Sequence, residues 1–203
     1  SKGDYDLNDL ILDYNYQFVT NTNNAAIEIR GKVILRAIGA SYHNGFGVEL
    51  PVSPDLVESV TGTNMMNDLI EKNSNGTEAG QPNATIVLFT DAKAYYGTGA
   101  LINTKSGDSY VSPAQIDFVI RFKSPVRMLD LGYPPFNPFL FIDGDRGMEV
   151  HLPDLKPTSK ADLSVLGTMA DSSVPANGRY YKAGNNLPWA INLATTFDYP
   201  QEN

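Results

Sequence analysis

The sequence predicts an all-β fold, an antiparallel β-sandwich of jelly-roll type with little helix. Three observations carry this: apolar residues alternate with period two over much of the chain, Gly, Pro and Asn punctuate the alternating runs, and helical periodicity is scarce. With 203 residues, 17 Gly and 13 Pro, the chain reads as one domain, residues 1–203. It is long enough to bury roughly 70% of the surface that its unfolded form exposes.

In chain order, Leu10, Leu12, Tyr14, Tyr16 and Phe18 share one face of a strand, with Asp13, Asn15 and Gln17 on the other. A sheet buried on one side produces this pattern. After the turn Asn21-Thr22-Asn23-Asn24, a second run places Ile27, Ile29, Val33, Leu35 and Ala37 opposite Glu28, Arg30, Lys32 and Arg36. The two runs form a long antiparallel hairpin. Phe46, Val48 and Leu50 alternate up to Pro51, and Ala84 to Phe89 is apolar enough for a central strand. Ile116, Phe118, Ile120 and Phe122 predict a strand that stops before Pro125. Phe139 to Ile142 and Met148 to Leu152 flank Asp143-Gly144-Asp145-Arg146-Gly147, a second hairpin. Trp189-Ala190-Ile191-Asn192-Leu193 predicts a last strand that carries Trp189 into the core. Helix is expected over Asn64 to Lys72, capped by Asn64 or Asn67, and as one turn from Asp162 to Leu166. The long loops Gly97 to Pro113 and Ala170 to Asn186 are expected to present binding surfaces.

Charge narrows the partners. There are 15 Lys and Arg against 23 Asp and Glu, a net charge of −8. Nucleic acid and anionic membrane surfaces both need clustered cations, so neither is expected. Cations are. The absence of cysteine excludes disulfides, thiolate metal sites and thiol nucleophiles. No apolar run approaches a membrane span. The chain opens at Ser1-Lys2-Gly3-Asp4 without Met, which reads as a processed chain or an excised C-terminal domain.

The sharpest motif is Gly3-Asp4-Tyr5-Asp6-Leu7-Asn8-Asp9-Leu10-Ile11-Leu12-Asp13. Asp4, Asp6, Asn8, Asp9 and Asp13 supply oxygens of the kind that calcium takes six to eight of. The start resembles an EF-hand loop, but Asp9 stands where that loop needs Gly and Asn15 where it needs Glu, and a strand follows. Two readings stand: a loop-and-strand calcium site, or Asx turns leading into a strand. Asp143 and Asp145 read as turn residues, with cation ligation as the alternative.

Enzyme motifs are missing. The two histidines, His43 and His151, lack the neighbours that a catalytic imidazole needs and read as strand-end hydrogen-bonding residues. Paired carboxylates acting on envelope glycans form the hydrolase alternative. Trp189, Tyr180 and Tyr181, beside Asn185 and Asn186, form the carbohydrate-binding alternative, a stacking platform for a sugar; His43 and His151 are further candidate ligand contacts.

Several blocks, in order, carry a family resemblance: Gly3-Asp4-Tyr5-Asp6-Leu7-Asn8-Asp9-Leu10, residues 35–47 (Leu35 to Gly47), Pro135-Phe136-Asn137-Pro138-Phe139-Leu140, Glu149-Val150-His151-Leu152-Pro153-Asp154, Gly178-Arg179-Tyr180-Tyr181 and Asn186-Leu187-Pro188-Trp189-Ala190. Together they resemble the LruC-type domain, a family of unknown function at the C-terminus of bacterial cell-envelope and secreted proteins. The resemblance implies an exported parent, surface-associated or lipid-anchored, and no established enzyme activity. The expectation is a non-enzymatic extracytoplasmic binding or adhesion module with a calcium site, its partner a glycan or another envelope protein.

Overall fold

Alternation decides most of the architecture. In the computed structural model, which describes residues 6–97, 99, 101–195 and 197–201, the first run is β1 (Ile11–Thr20) and the second β2 (Ala25–Ala37). Asn24 adopts φ 56°, and the Asn21 carboxamide oxygen accepts the amides of Asn23 and Ala25 at 3.0 Å each, which closes the turn. The chain continues through β3 (Asn44–Leu50), β4 (Val57–Thr61), β5 (Ala84–Phe89), β6 (Ala114–Arg127), the single-turn helix α1 (Met128–Leu131), β7 (Asn137–Ile142) and β8 (Asp145–His151).

Two four-stranded antiparallel sheets result, ordered β1-β2-β6-β4 and β5-β3-β7-β8. Their inner faces meet in one core that includes Ile29, Leu35, Phe118 and Ile120 from the first sheet and Leu50, Ile86, Leu88 and Phe89 from the second. Full burial of such a side chain contributes about 1.5–3 kcal/mol. A smaller cluster of Ile70, Val87, Phe139 and Phe141 lies on the outer face of the second sheet, so that sheet is covered on both sides.

Three cross-strand pairs set a glycine against a phenylalanine: Gly31 with Phe118, Gly45 with Phe141 and Gly47 with Phe139. A Cβ on these glycines would lie 2.0, 2.1 and 2.5 Å from the partner ring. The tip of each ring therefore fills the space that a side chain would take at the glycine.

Four expectations are corrected. The Asn64 to Lys72 segment is not a helix: the Asn64 amide donates to the Leu88 carbonyl at 2.7 Å, and Lys72 bridges Glu78. It covers β5, which explains why β5 is buried throughout yet lies at a sheet edge rather than in the centre. β6 runs through Pro125, because the register with β2 breaks between Ala26 and Glu28 and leaves the proline in a bulge. Residues 189–193 form no strand; they cross the open side of the sandwich as irregular chain. The single turn near Asp162 is present as a 3-10 turn, Leu163–Val165, capped by the Asp162 carboxylate.

Candidate functional site

The acidic opening enters β1 through turns. Asp4 lies outside the described residues. The Asn8 amide donates to Asp6 Oδ1 at 3.4 Å. Asn8 itself is 1% exposed; its Nδ2 donates to the Pro200 carbonyl at 3.3 Å, and its Oδ1 lies 2.1 Å from where a Cβ on Gly39 would stand. The Asp9 carbonyl accepts the Ala40 amide and the Asn44 carboxamide, each at 3.4 Å. Asp13 pairs with Arg36 across the hairpin at 3.2 Å. The fold thus sets the Asp6 carboxylate on the Asn8 amide, turns the Asn8 side chain inward, engages the Asp9 carbonyl and gives Asp13 a guanidinium partner. Among the described residues, no three of His, Asp or Glu gather as a metal-holding group.

The two histidines stand at opposite ends of the β7–β8 hairpin. His43 precedes β3 beside the hairpin turn; its side chain is 56% exposed and its Nδ1 lies 2.9 Å from Asp91 Oδ2. Asp143 Oδ1 accepts the His43 amide at 2.8 Å, and the Asp143 amide donates to the His43 carbonyl at the same distance. Asp143 and Gly144 both have positive φ, 51° and 75°, as a two-residue hairpin turn requires, and Asp145 Oδ1 accepts the Gly147 amide. Turn formation accounts for both aspartates.

His151 belongs to a buried ionic cluster that spacing in the sequence does not reveal. Arg146 Nε and Nη2 donate to the two oxygens of Glu78 at 2.8 and 3.0 Å, and Nη1 donates to Glu149 Oε1 at 2.5 Å. The Thr158 amide and hydroxyl both donate to Glu149, at 2.9 and 2.5 Å. Gln81 donates to Glu78 and accepts from Ser159. The Arg146 guanidinium stacks over Phe139 at 4.6 Å and Phe141 at 5.1 Å. His151 is wholly buried between the rings of Phe139 and Tyr181.

Burial pushes the Glu149 carboxyl up, but hydrogen bonds from His151 and Thr158 and the Arg146 charge outweigh it, so Glu149 titrates below the usual carboxylate range. Burial lowers the Arg146 guanidinium, and its bonds to Glu78 with the Glu149 charge more than reverse this. Burial, then the nearby Glu149 and Asp171 charges, push the Tyr181 phenol well up and keep it neutral.

The predicted aromatic platform is taken up by packing. Tyr180 and Tyr181 are buried, and Tyr181 stacks on His151. Trp189 is half-buried rather than in the core, and its Nε1 donates to Asp171 Oδ1 at 2.9 Å. In the other long loop, Asn103 ties the chain to the Arg36 and Val111 carbonyls.

A groove of about 400 Å³ runs where the edge strands β1 and β8 of the two sheets face each other. Leu10, Leu12, Phe46, Leu140, Val150 and Leu152 line it. Residues 190–195, Phe197 and Tyr199 lie along it, fastened by Tyr14 Oη to Asn192 Oδ1 at 2.7 Å and by Asn8 to Pro200. Ile191, Leu193 and Phe197 on this segment remain 39%, 47% and 43% exposed.

Fold and site define a two-sheet β-sandwich domain with a closed ionic corner and an apolar seam. Residues 24–203 match a domain of unknown function, DUF4842, and the chain belongs to that family. The match agrees with a family of unknown function spanning most of the chain, and carries a different name from the LruC-type domain. Comparison with curated proteins gives no match. Among solved structures, a candidate lipoprotein from Bacteroides ovatus shares the fold, with a TM-score of 0.63 and 17% identity over 91% of this chain. The likeness covers 59% of that protein's chain, so this sequence spans less than two thirds of it. Among the described residues, no helix is long and apolar enough to cross a membrane.

Proposed function

We propose that this domain is a non-enzymatic binding module of an extracytoplasmic cell-envelope protein, and that it meets a protein partner along the seam between β1 and β8. The observation that carries the proposal is the seam itself: two sheet edges lined with leucine and valine, spanned by irregular chain that presents Ile191, Leu193 and Phe197 to solvent. Apolar patches of this kind suit protein contacts. The B. ovatus lipoprotein fold and the LruC-type resemblance support an envelope location.

The alternatives fit less well. A glycan platform needs exposed aromatic faces, whereas Tyr180 and Tyr181 are buried. A hydrolase needs carboxylates that water and substrate reach, whereas Glu78 and Glu149 are fully buried and share Arg146. The test combines protease accessibility of the full-length protein on intact cells with a photo-crosslinking residue placed at Leu193. Surface accessibility and crosslinking to an envelope protein are expected, with none from a control position at Tyr110. Recovery of the full-length protein only from the cytosol would overturn the reading.

A further inference from the structure

We infer that His151 is held as an imidazolium between two acceptors, and that its second proton makes the β7–β8 corner a pH-sensitive clamp. Each ring nitrogen faces an acceptor. Nδ1 lies 2.6 Å from Asn137 Oδ1. The Asn137 amide is fixed in that sense, because its Nδ2 donates to the Lys156 carbonyl at 2.9 Å and points to Glu49 Oε1 at 3.4 Å. Nε2 lies 2.8 Å from Glu149 Oε2. That oxygen also accepts the Thr158 amide, while Oε1 accepts Arg146 and the Thr158 hydroxyl. Glu149 is therefore an acceptor on every side. An imidazole between two acceptors needs two N–H groups, which only the cation has.

Charge points the same way. Glu78 and Glu149 bring two negative charges, and both side chains are fully buried. Arg146 supplies a positive charge to both, and protonated His151 places a further one against Glu149. Lys160, a third exposed, stands at the rim 3.4 Å from Glu78. Glu49, on β3, faces the cluster through Asn137 and is pushed up by burial. Across the ring lie the neutral Tyr181 phenol, Asp171 bonded to Trp189, and Asp154 paired with Lys182 at 2.6 Å. Phe139 and Tyr181 stack on the two faces of the imidazole, with centroids at 5.3 and 5.2 Å, and such faces favour a cation.

Loss of the proton turns a nitrogen lone pair onto Asn137 or Glu149 and removes the positive charge that faces Glu149. The segments tied here, residues 78–81, 156–160 and Tyr181, then lose their hold on β7 and β8. The corner is therefore expected to loosen once that proton is lost at higher pH.

The chain has two histidines, one of them exposed, so the test needs no change at His151. Long-range proton–nitrogen correlation spectra of labelled protein at pH 7 read both rings, and a His43→Gln variant assigns them. Two protonated nitrogens are expected for His151. Hydrogen exchange at the Thr158 amide is then followed from pH 6.5 to 9. It is expected to accelerate at least tenfold beyond the intrinsic rise with hydroxide. One protonated nitrogen at pH 7 overturns the assignment, and exchange that follows only the intrinsic rise overturns the clamp.

Discussion

Replacing Arg146 by Met leaves two carboxylates facing each other in the dry layer outside the second sheet. Methionine keeps a long, unbranched stem against Phe139 and Phe141, so the loss is electrostatic rather than a cavity. Both oxygens of Glu78 lose their guanidinium partner, and Glu149 loses its 2.5 Å contact. Removing one partner of a buried ion pair costs about 3–5 kcal/mol. For a domain of this length, that lowers Tm by roughly 6–20 °C, at about 2–4 °C per kcal/mol. Urea unfolding followed by the fluorescence of the single Trp189, with calorimetry beside it, measures the loss. The pH dependence gives a second readout. Glu149 titrates low in the folded protein, so its contribution is present above the ordinary carboxylate pKa of about 4.3 and fades as pH falls through the lower folded value. Without Arg146, acid relieves the repulsion, and the gap between variant and wild type narrows as pH falls. Adding Glu78→Gln is expected to restore part of the loss at neutral pH. A cost below about 1 kcal/mol, typical of an exposed pair, would refute the reasoning.

Asn8→Ala removes the bond to Pro200 and is expected to cost about 1–3 kcal/mol, equally in chelator and in calcium. Gly31→Ala drives a methyl into the Phe118 ring, and denaturant titration is expected to show a loss of about 1–3 kcal/mol. Trp189→Phe removes the indole bond to Asp171, and its expected cost of about 1.5–3 kcal/mol is read by thermal unfolding. Calcium is proposed at the opening through Asp4, Asp6 and Asp9. Millimolar calcium is expected to stabilise the wild type by about 2.7 kcal/mol at a hundredfold excess over Kd and to leave Asp6→Ala unmoved; equal melting with and without chelator would leave the turns alone to explain the cluster.

The strands that alternate apolar and polar residues were legible because one of their faces meets the core and the other meets water. β1, β2, β6 and the β7–β8 hairpin emerge on that basis, with the Asp143-Gly144 turn. β4 was missed because Val57-Glu58-Ser59-Val60-Thr61 is too short to establish a period. The failures cluster where loops cover the second sheet. In sequence Arg146 reads as part of a hairpin turn and His151 as a strand-end residue, but residues 78–81, Thr158 and Tyr181 close over them and Glu149, and contacts across so much chain leave no local spacing. One signal was available: charged residues alternate with Val150 in a strand rich in neighbouring aromatics. Trp189 looked like core because its company is apolar, yet Pro188 and the bonds to Tyr181 and Asp171 turn the chain along the seam instead.

The three glycine–phenylalanine pairs also have a mechanical consequence. Tension along the strands shears β2 against β6 and β3 against β7. Sliding by one residue, about 3.4 Å, must first lift each ring out of its notch and over a neighbouring backbone. Next to Gly31 the ring of Phe118 meets Arg30 or Lys32, and two steps away Ile29 or Val33, so the first sheet has no second seat for it. The second sheet has two seats in series, Gly45 and Gly47, so a slip of two residues lets one phenylalanine drop into the neighbouring notch. Under load the second sheet therefore offers a position at which a slipped ring can re-engage, and the first sheet offers none.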